Sequence, residues 1–435
     1  MEREDLTGRS VAVVGSGVAG LMAAHVLSTR NRVTLFEADD RLGGHAHTHV
    51  VDRGDGVEVA VDSAFLVHND RTYPTLCRLF AELGIETVDT DMSMSVRVDR
   101  VGATGLEYAG AKGIGGLFPS ASNLARPRYL RMLAEVKRFH REATRLLEDP
   151  DSRETLGSFV EQQGFSAYFV DHFLTPLVAA VWSCAPGDAM RYPARYLFVF
   201  LHHHGMLSVF GSPTWRTVAG GSATYVDAIA TGIHEISLRS PVRALERVPD
   251  GVRICVGDAG PRHFDAAVVA THPAQALQML AKPSSAQRAV LGAIAYSTNH
   301  AQLHTDESLL PRHRRARASW NYLATSDTDA VLVTYDVTRL MKLAGPKRFL
   351  VTLGGRDRVD PASVIAEMTY EHPLYTPESV AAQALLPTID EDRLVFAGAY
   401  HGWGFHEDGA ASGLRAAERL GATWPTARTL ETVPC

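Results

Sequence analysis

The chain is poor in cysteine. Cys77, Cys184, Cys255 and Cys435 are the only four in 435 residues, and none stand in C-x-x-C spacing. That pattern excludes a disulfide scaffold and a zinc ribbon, and predicts reduced thiols in a cytosol. Long apolar runs are missing too. The nearest is Phe165–Trp182, which contains Asp171, His172 and Pro176. A spanning helix needs about twenty apolar residues, so this stretch is expected to be a buried helix. The first residues, Met1-Glu2-Arg3-Glu4-Asp5, are charged and hold no signal-peptide apolar region. Internal repeats and long low-complexity linkers are absent, and Glu148–Glu154 and Lys282–Ser285 read as loops. Basic excess is absent as well: 43 Lys and Arg against 49 Asp and Glu give a net charge of −6. That argues against nucleic acid as a partner.

What is present is a large core. Hydrophobic residues make up 46% and charged residues 21% of a chain long enough for two domains. Residues 11–20 read Val-Ala-Val-Val-Gly-Ser-Gly-Val-Ala-Gly. An apolar strand runs directly into G-x-G-x-x-G. Gly15 allows the tight turn, Gly17 lets backbone approach a pyrophosphate, and Gly20 lets helix pack on strand. The helix expected at about Ala19–Thr29 aims the N–H groups of Val18 and Ala19 at the phosphates. A second strand, Arg32–Glu37, ends in an acid 22 residues after Gly15. That is the interval for a carboxylate on a ribose hydroxyl, with Ala38 beside it.

The next residues, Asp40-Arg41-Leu42-Gly43-Gly44-His45-Ala46-His47-Thr48, resemble the R-x-G-G-x-x-x-T/S element of the FAD-dependent amine oxidase and phytoene desaturase superfamily. Near the other end, Phe396-Ala397-Gly398 followed by Asp408-Gly409-Ala410-Ala411-Ser412-Gly413 resembles that family's second FAD motif. Phe264–Pro273, with Ala270, is similar to its D-x-V-V-x-A-x-x-P strand. Ser240-Pro241-Val242-Arg243 is similar to its adenine-contacting segment, and Trp215–Ser222 to its Gly-Gly turn. Within the family the chain resembles a bacterial branch marked by Gly404-Phe405-His406-Glu407-Asp408-Gly409, His304-Thr305-Asp306 and Trp320-Asn321-Tyr322. That branch accompanies lipid-modifying methyltransferases, which implies fatty acyl substrates.

The resemblance implies an α/β fold. A Rossmann-like FAD-binding domain of the glutathione-reductase type would come from residues 1–95, 211–285 and 386–435. An interleaved mixed α+β substrate domain would come from 96–210, largely helical, and 286–385, largely strands. It implies one FAD, bound non-covalently, with covalent attachment through His45 as the alternative. His45, His47 and His406 become candidate proton carriers, since imidazole titrates near neutrality. Tyr400 and Trp403 become candidates to close over the flavin. An apolar cavity is expected from Tyr168–Trp182, Tyr196–Met206 and Trp320–Tyr335.

One departure bears on chemistry. The family's amine oxidases hold a lysine on a substrate-domain strand, yet Val331–Tyr335 and Phe349–Leu353 contain none and Lys342 falls in a loop or helix. In place of the family's acid after F-A-G stands Ala399, and Thr334-Tyr335 is followed by Asp336-Val337-Thr338 where the branch has Trp-Met-Asn. The reaction expected is hydride removal from a carbon of an apolar, lipid-like or polyketide-like substrate. The alternatives are a redox-neutral double-bond isomerisation, amine oxidation, and a flavin-binding scaffold without turnover.

Two further patterns invite a role. Tyr129, Met132, Val136, Phe139, Ala143 and Leu146 form one apolar stripe at helical spacing. From Arg126 to Arg145 there are seven basic and two acidic residues. That face is either simply solvated or docks to an acidic surface, an anionic lipid or an acyl carrier protein, which would make a cytoplasmic enzyme peripheral to membrane. In His202-His203-His204, consecutive side chains on a helix diverge, so no metal site is expected there. One of the three is expected to face the active site.

Overall fold

The computed structural model describes residues 8–99, 105–110, 112–182, 186–208, 211–257, 260–325 and 332–424. Cys184, Cys435, Val331 and Met1–Asp5 lie outside them.

Five parallel strands build the first sheet, in the order Glu235–Ser237, Arg32–Phe36, Ser10–Val14, Ala266–Val269, Leu394–Phe396. Their central members are almost wholly apolar because both faces are covered. Val11, Ala12, Val13, Val33, Leu35 and Val268 are fully buried. The helix Val18–Ser28 covers one face and packs along the helix His406–Arg419. Contact there is so close that a Cβ on Gly413 would stand 2.1 Å from the Ala19 carbonyl oxygen. Glycine at that position is what joins the two ends of the chain.

A seven-stranded sheet forms the second layer, in the order Val364–Pro373, Tyr296–His304, Leu350–Leu353, Leu332–Asp336, Trp320–Ala324, Met94–Val98, Leu106–Ala109. Met94–Val98 belongs to it as a whole, so the expected boundary at residue 95 falls inside a strand. A three-stranded antiparallel sheet, Val242–Val248, Gly251–Val256 and Arg262–Phe264, flanks the first sheet.

Helices make up most of the described residues between 113 and 203. The long one, Pro127–Leu146, buries Tyr129, Met132, Phe139, Ala143 and Leu146 of the stripe its spacing predicts, and Val136 is half-buried. Phe139 anchors a second core, with the rings of Phe159, Phe165, Phe169, Phe173 and Phe198 centred 5.4–6.3 Å away. Phe165–Trp182 is not one regular helix. A π turn, Val170–Leu174, separates Ala167–Phe169 from Thr175–Trp182. Pro176 has no N–H to give the His172 carbonyl, and the Tyr108 hydroxyl donates to it instead, at 2.6 Å. No helix among the described residues is long and apolar enough to cross a membrane.

Candidate active site

Gly15, Glu37, Ala270 and Gly398 all follow the carboxyl ends of parallel strands. In such sheets ligands bind beyond those ends. A cavity of about 990 Å³ opens there, continuous from the sheet to the helical region.

Its first half suits a dinucleotide. Gly15 has φ +97°, and a Cβ there would stand 2.8 Å from the Ala270 carbonyl oxygen. Gly17 differs: a Cβ there would meet no protein atom within 4 Å. Its neighbour is the cavity, so what Gly17 admits is a ligand. Gly17 also caps the helix Val18–Ser28 without a side-chain bond, which leaves the first N–H groups for an anion. The Glu37 carboxylate accepts the Ser16 and Asp39 N–H groups, at 2.9 and 3.0 Å. The Arg41 guanidinium donates to the Gly44 carbonyl at 2.8 Å and so holds the Gly43-Gly44 loop beside Gly17.

The second half is apolar. Val181, Trp182, Phe200, Met206, Trp320 and Tyr335 line it, and among the described residues no lysine lines any part of the cavity. The loop Gly402–Phe405 closes one side and is tightly pinned. Tyr196, Tyr375 and Gln383 all donate to the Gly402 carbonyl, at 2.7–2.8 Å. Trp403 Nε1 donates to the Tyr196 carbonyl, and Trp182 Nε1 to that of Trp403.

Between the halves stands a group of imidazoles. The His45 ring is centred 5.0 Å from Tyr370, 5.5 Å from His372 and 6.4 Å from His272. Its Nε2 is buried without a hydrogen-bond partner. Burial, reinforced by His372 and His272, holds its pKa well below the usual 6.5, so the ring is neutral. His372 falls to about 4 by burial, and its Nδ1 lies 3.0 Å from the Asn299 amide nitrogen. Accepting there puts the ring proton on Nε2. His272 is bound at Nδ1 by the Glu371 carboxylate at 2.7 Å. His406 lies flat on Phe65, centroids 3.7 Å apart, and its Nε2 meets the Tyr225 hydroxyl at 2.9 Å. Burial lowers it to about 3.

Comparison with known proteins gives the family. The family described as flavin containing amine oxidoreductase matches residues 18–421. The chain belongs to that family. It is 27% identical over 270 residues to (S)-6-hydroxynicotine oxidase of Paenarthrobacter nicotinovorans, covering 60% of this chain and 59% of that enzyme. The match thus spans about three fifths of the relative's length. Cyclohexylamine oxidase from Brevibacterium oxydans IH-35A superposes with a TM-score of 0.67 at 16% identity, covering 95% of this chain and 98% of that one. A CLA-producing fatty acid isomerase from P. acnes gives 0.65 at 14%, covering 93% and 97%. These two likenesses are of fold. FAD is the cofactor of the family, and the open Gly17 cradle, the uncapped helix and Glu37 fit it.

Set against the motifs, Gly15, Gly17, Val18, Ala19, Glu37, Ala38, Arg41, Gly44, His45, Val242, Ala270, Gly398, Tyr400, Trp403 and His406 line the cavity. Gly20, Gly43, His47, Asp408, Gly409, Ala410 and Ser412 do not. Each of these has a structural duty. A Cβ on Gly20 would lie 1.8 Å from the Gly15 carbonyl oxygen, and one on Gly409 would lie 2.6 Å from Val18 Cγ1. Gly43 donates to the Ser16 carbonyl, and Ala410 is core. Asp408 accepts the Phe405 N–H, and Ser412 the Gly398 N–H. His47 turns away from the cavity: its Nδ1 meets the Tyr370 hydroxyl at 3.1 Å and its ring lies on His49. Tyr400 touches the cavity but its ring is fully buried against Gly398, not swung over open space. Tyr168 stacks on His172 away from the cavity.

Of the three consecutive histidines, His204 faces the cavity and is held by Thr72 and the Phe200 ring. No group of three potential ligands able to hold a metal occurs among the described residues. The sequence reading missed Thr369–Pro373, which brings Tyr370 and His372 to the cavity, and Phe65–Val67. Neither stretch carries a motif. Sheet register places the first, with His372 paired to Ser297 across the Tyr296–His304 strand, and Phe65–Val67 lies in the connection between the strands Glu58–Asp62 and His68–Asn69.

Proposed function

We propose that the protein is an FAD-dependent oxidoreductase that takes hydride from a carbon of an apolar, lipid-like substrate, a desaturation or oxidation. The observation that carries this reading is the composition of the cavity's second half: aromatic and aliphatic side chains, with neither lysine nor carboxylate among the described residues. Glu37, Asp39, Arg41 and Arg243 lie at the nucleotide half, and Glu371 is committed to His272. An ammonium substrate would enter without a counter-charge, which is costly in such a place. The Gly404–Gly409 box, which resembles the branch associated with fatty acyl chemistry, supports the same class.

Bound FAD supplies the hydride acceptor. The chain supplies position and proton handling. Trp182, Phe200, Trp320 and Tyr335 hold an apolar chain by contact area alone. Trp403 and Phe405, on their pinned loop, exclude water. His45 is neutral, buried and unpartnered at Nε2, so its lone pair is free to take a proton from the substrate carbon next to the one that loses hydride, and its lowered pKa means that the proton is held weakly. The same unpartnered Nε2 also favours a second reading, double-bond isomerisation, because a proton taken up on that imidazole is available for return to the substrate. Anaerobic incubation with a fatty acyl substrate separates the two. Product beyond one equivalent of flavin without an electron acceptor supports isomerisation, and product stopping at one equivalent supports oxidation. No product and no flavin bleaching with any acyl substrate refutes both.

A further inference from the structure

The face at the start of the Pro127–Leu146 helix is apolar at its tips and basic around them. Ile114 is 80% exposed, Leu124 60% and Leu130 41%. These aliphatics belong to one rigid patch. The Tyr129 hydroxyl donates to the Leu117 carbonyl at 2.7 Å, and the Asn123 amide donates to the Glu107 and Leu117 carbonyls. The short helix Gly113–Leu117, the turn Ala121–Asn123 and the first turn of the long helix therefore move together.

Charge on this patch has one sign. Residues 111–134 include Lys112, Arg126, Arg128 and Arg131 and no acid, in a chain whose net charge is −6. The first acid, Glu135, is buried and accepts the Ser166 N–H and hydroxyl; the Arg131 guanidinium comes within 3.8 Å of it, yet the Arg131 side chain stays 69% exposed and can still reach outward. The basic surface continues sideways. Lys112 Nζ donates to the Arg317 carbonyl, and the Gly113–Leu117 helix packs on the Arg314–Ala316 turn. A cavity of about 250 Å³ there is lined by Arg314, Arg317, Arg339 and Arg348 with Glu307 and Asp336. Arg317, Arg339 and Arg348 are paired with carboxylates, whereas exposed Arg314 has none among the described residues. The far half of the long helix is different. Arg138 lies over the Phe165 ring and Arg141 pairs with Glu142, so their charges are engaged within the protein.

We propose that this patch docks the enzyme on an anionic lipid bilayer, with Ile114, Leu124 and Leu130 entering the boundary below the headgroups and Arg128, Arg131 and Arg314 meeting phosphates. Charge alone would serve an acidic carrier protein. Solvent-exposed aliphatics ringed by arginines fit an interface whose apolar layer lies beneath an anionic one. This inference is independent of what the cavity oxidises, because its test needs no turnover.

The test is sedimentation of the FAD-loaded protein with vesicles of phosphatidylcholine alone and of phosphatidylcholine with phosphatidylglycerol. The parent is expected to sediment with the anionic vesicles only, and to be released by salt. Arg128→Glu with Arg131→Glu should lower that binding about tenfold or more, and Ile114→Ser with Leu124→Ser should also lower it clearly. Arg145→Glu, at the far end of the helix, should leave it unchanged. FAD content and melting temperature report folding for every variant. A parent that stays in the supernatant with anionic vesicles overturns the proposal. So does equal loss in Arg145→Glu, or retention of an acidic acyl carrier protein by a chain that ignores vesicles.

Discussion

The Glu37 carboxylate accepts both the backbone N–H of Ser16, at 2.9 Å, and the Ser16 hydroxyl, at 2.5 Å. The acid at the end of the second strand thus shapes the loop between Gly15 and Gly17 as well as facing the cavity. Replacing it by alanine removes charge-assisted bonds of roughly 1.5–3 kcal/mol. FAD affinity in Glu37→Ala should fall about tenfold or more, with turnover at saturating FAD little changed. Titration of the apoprotein with FAD checks this, and equal affinity in mutant and parent would refute the assignment.

Two glycines of one motif should behave oppositely. A Cβ on Gly17 meets no protein atom within 4 Å, while one on Gly20 stands 1.8 Å from the Gly15 carbonyl oxygen. Gly17→Ala is expected to keep the apoprotein's melting temperature and lose FAD. Gly20→Ala is expected to lose stability even without FAD, by about 1–3 kcal/mol or more, since backbone must move. Thermal melts of apo and FAD-loaded protein distinguish the two. A Gly17→Ala protein that binds FAD as the parent does would remove the reason given for that glycine.

The three candidate histidines part company in the structure. His45 has a free Nε2, His406 is bound by Tyr225, and His47 is turned toward Tyr370. In stopped-flow flavin reduction His45→Ala should be slower by about a hundredfold, the lower range for a general base. His47→Ala and His406→Phe, which keeps a ring on Phe65, should stay near the parent rate. If all three match the parent, no histidine takes the proton.

Acid should destabilise the fold earlier than carboxylates alone would explain. Burial lowers His68, His204, His304 and His372 to about 4, and His47, His401 and His406 to about 3. Below the unfolded value near 6.5 the unfolded chain takes up protons that the folded chain refuses, so stability falls as pH falls from about 6.5 toward 4. Asp390 and Asp408 work the other way, raised by burial to about 6 and 7. Seven histidines outweigh two acids, and the net slope keeps its sign. Melting temperature measured from pH 7 to pH 4.5 should drop steadily. A flat profile would mean that these imidazoles are hydrated in solution.

Legibility in the sequence followed the reach of each interaction. The cradle was readable because Gly15, Gly17, Gly20 and Glu37 lie on one strand–helix–strand unit whose spacing is set locally. The Phe396–Gly413 segment was readable as a motif, but not its division of labour. Gly409 and Gly413 serve the approach of two helices, a contact between residues about 390 apart in sequence. Tyr370 and His372 were invisible because only the antiparallel register of Val364–Pro373 against Tyr296–His304 carries them to the cavity. The π turn was hidden because Tyr108, whose hydroxyl donates to the His172 carbonyl where Pro176 cannot, reaches it only in the fold.

The most direct test of the central claim is anaerobic bleaching of the bound flavin's visible absorption band by two substrate classes, long-chain fatty acyl compounds and primary or secondary amines. Reduction by an acyl compound, with no amine reducing the flavin, is the predicted result. Reduction by an amine with no response to acyl chains would contradict the account.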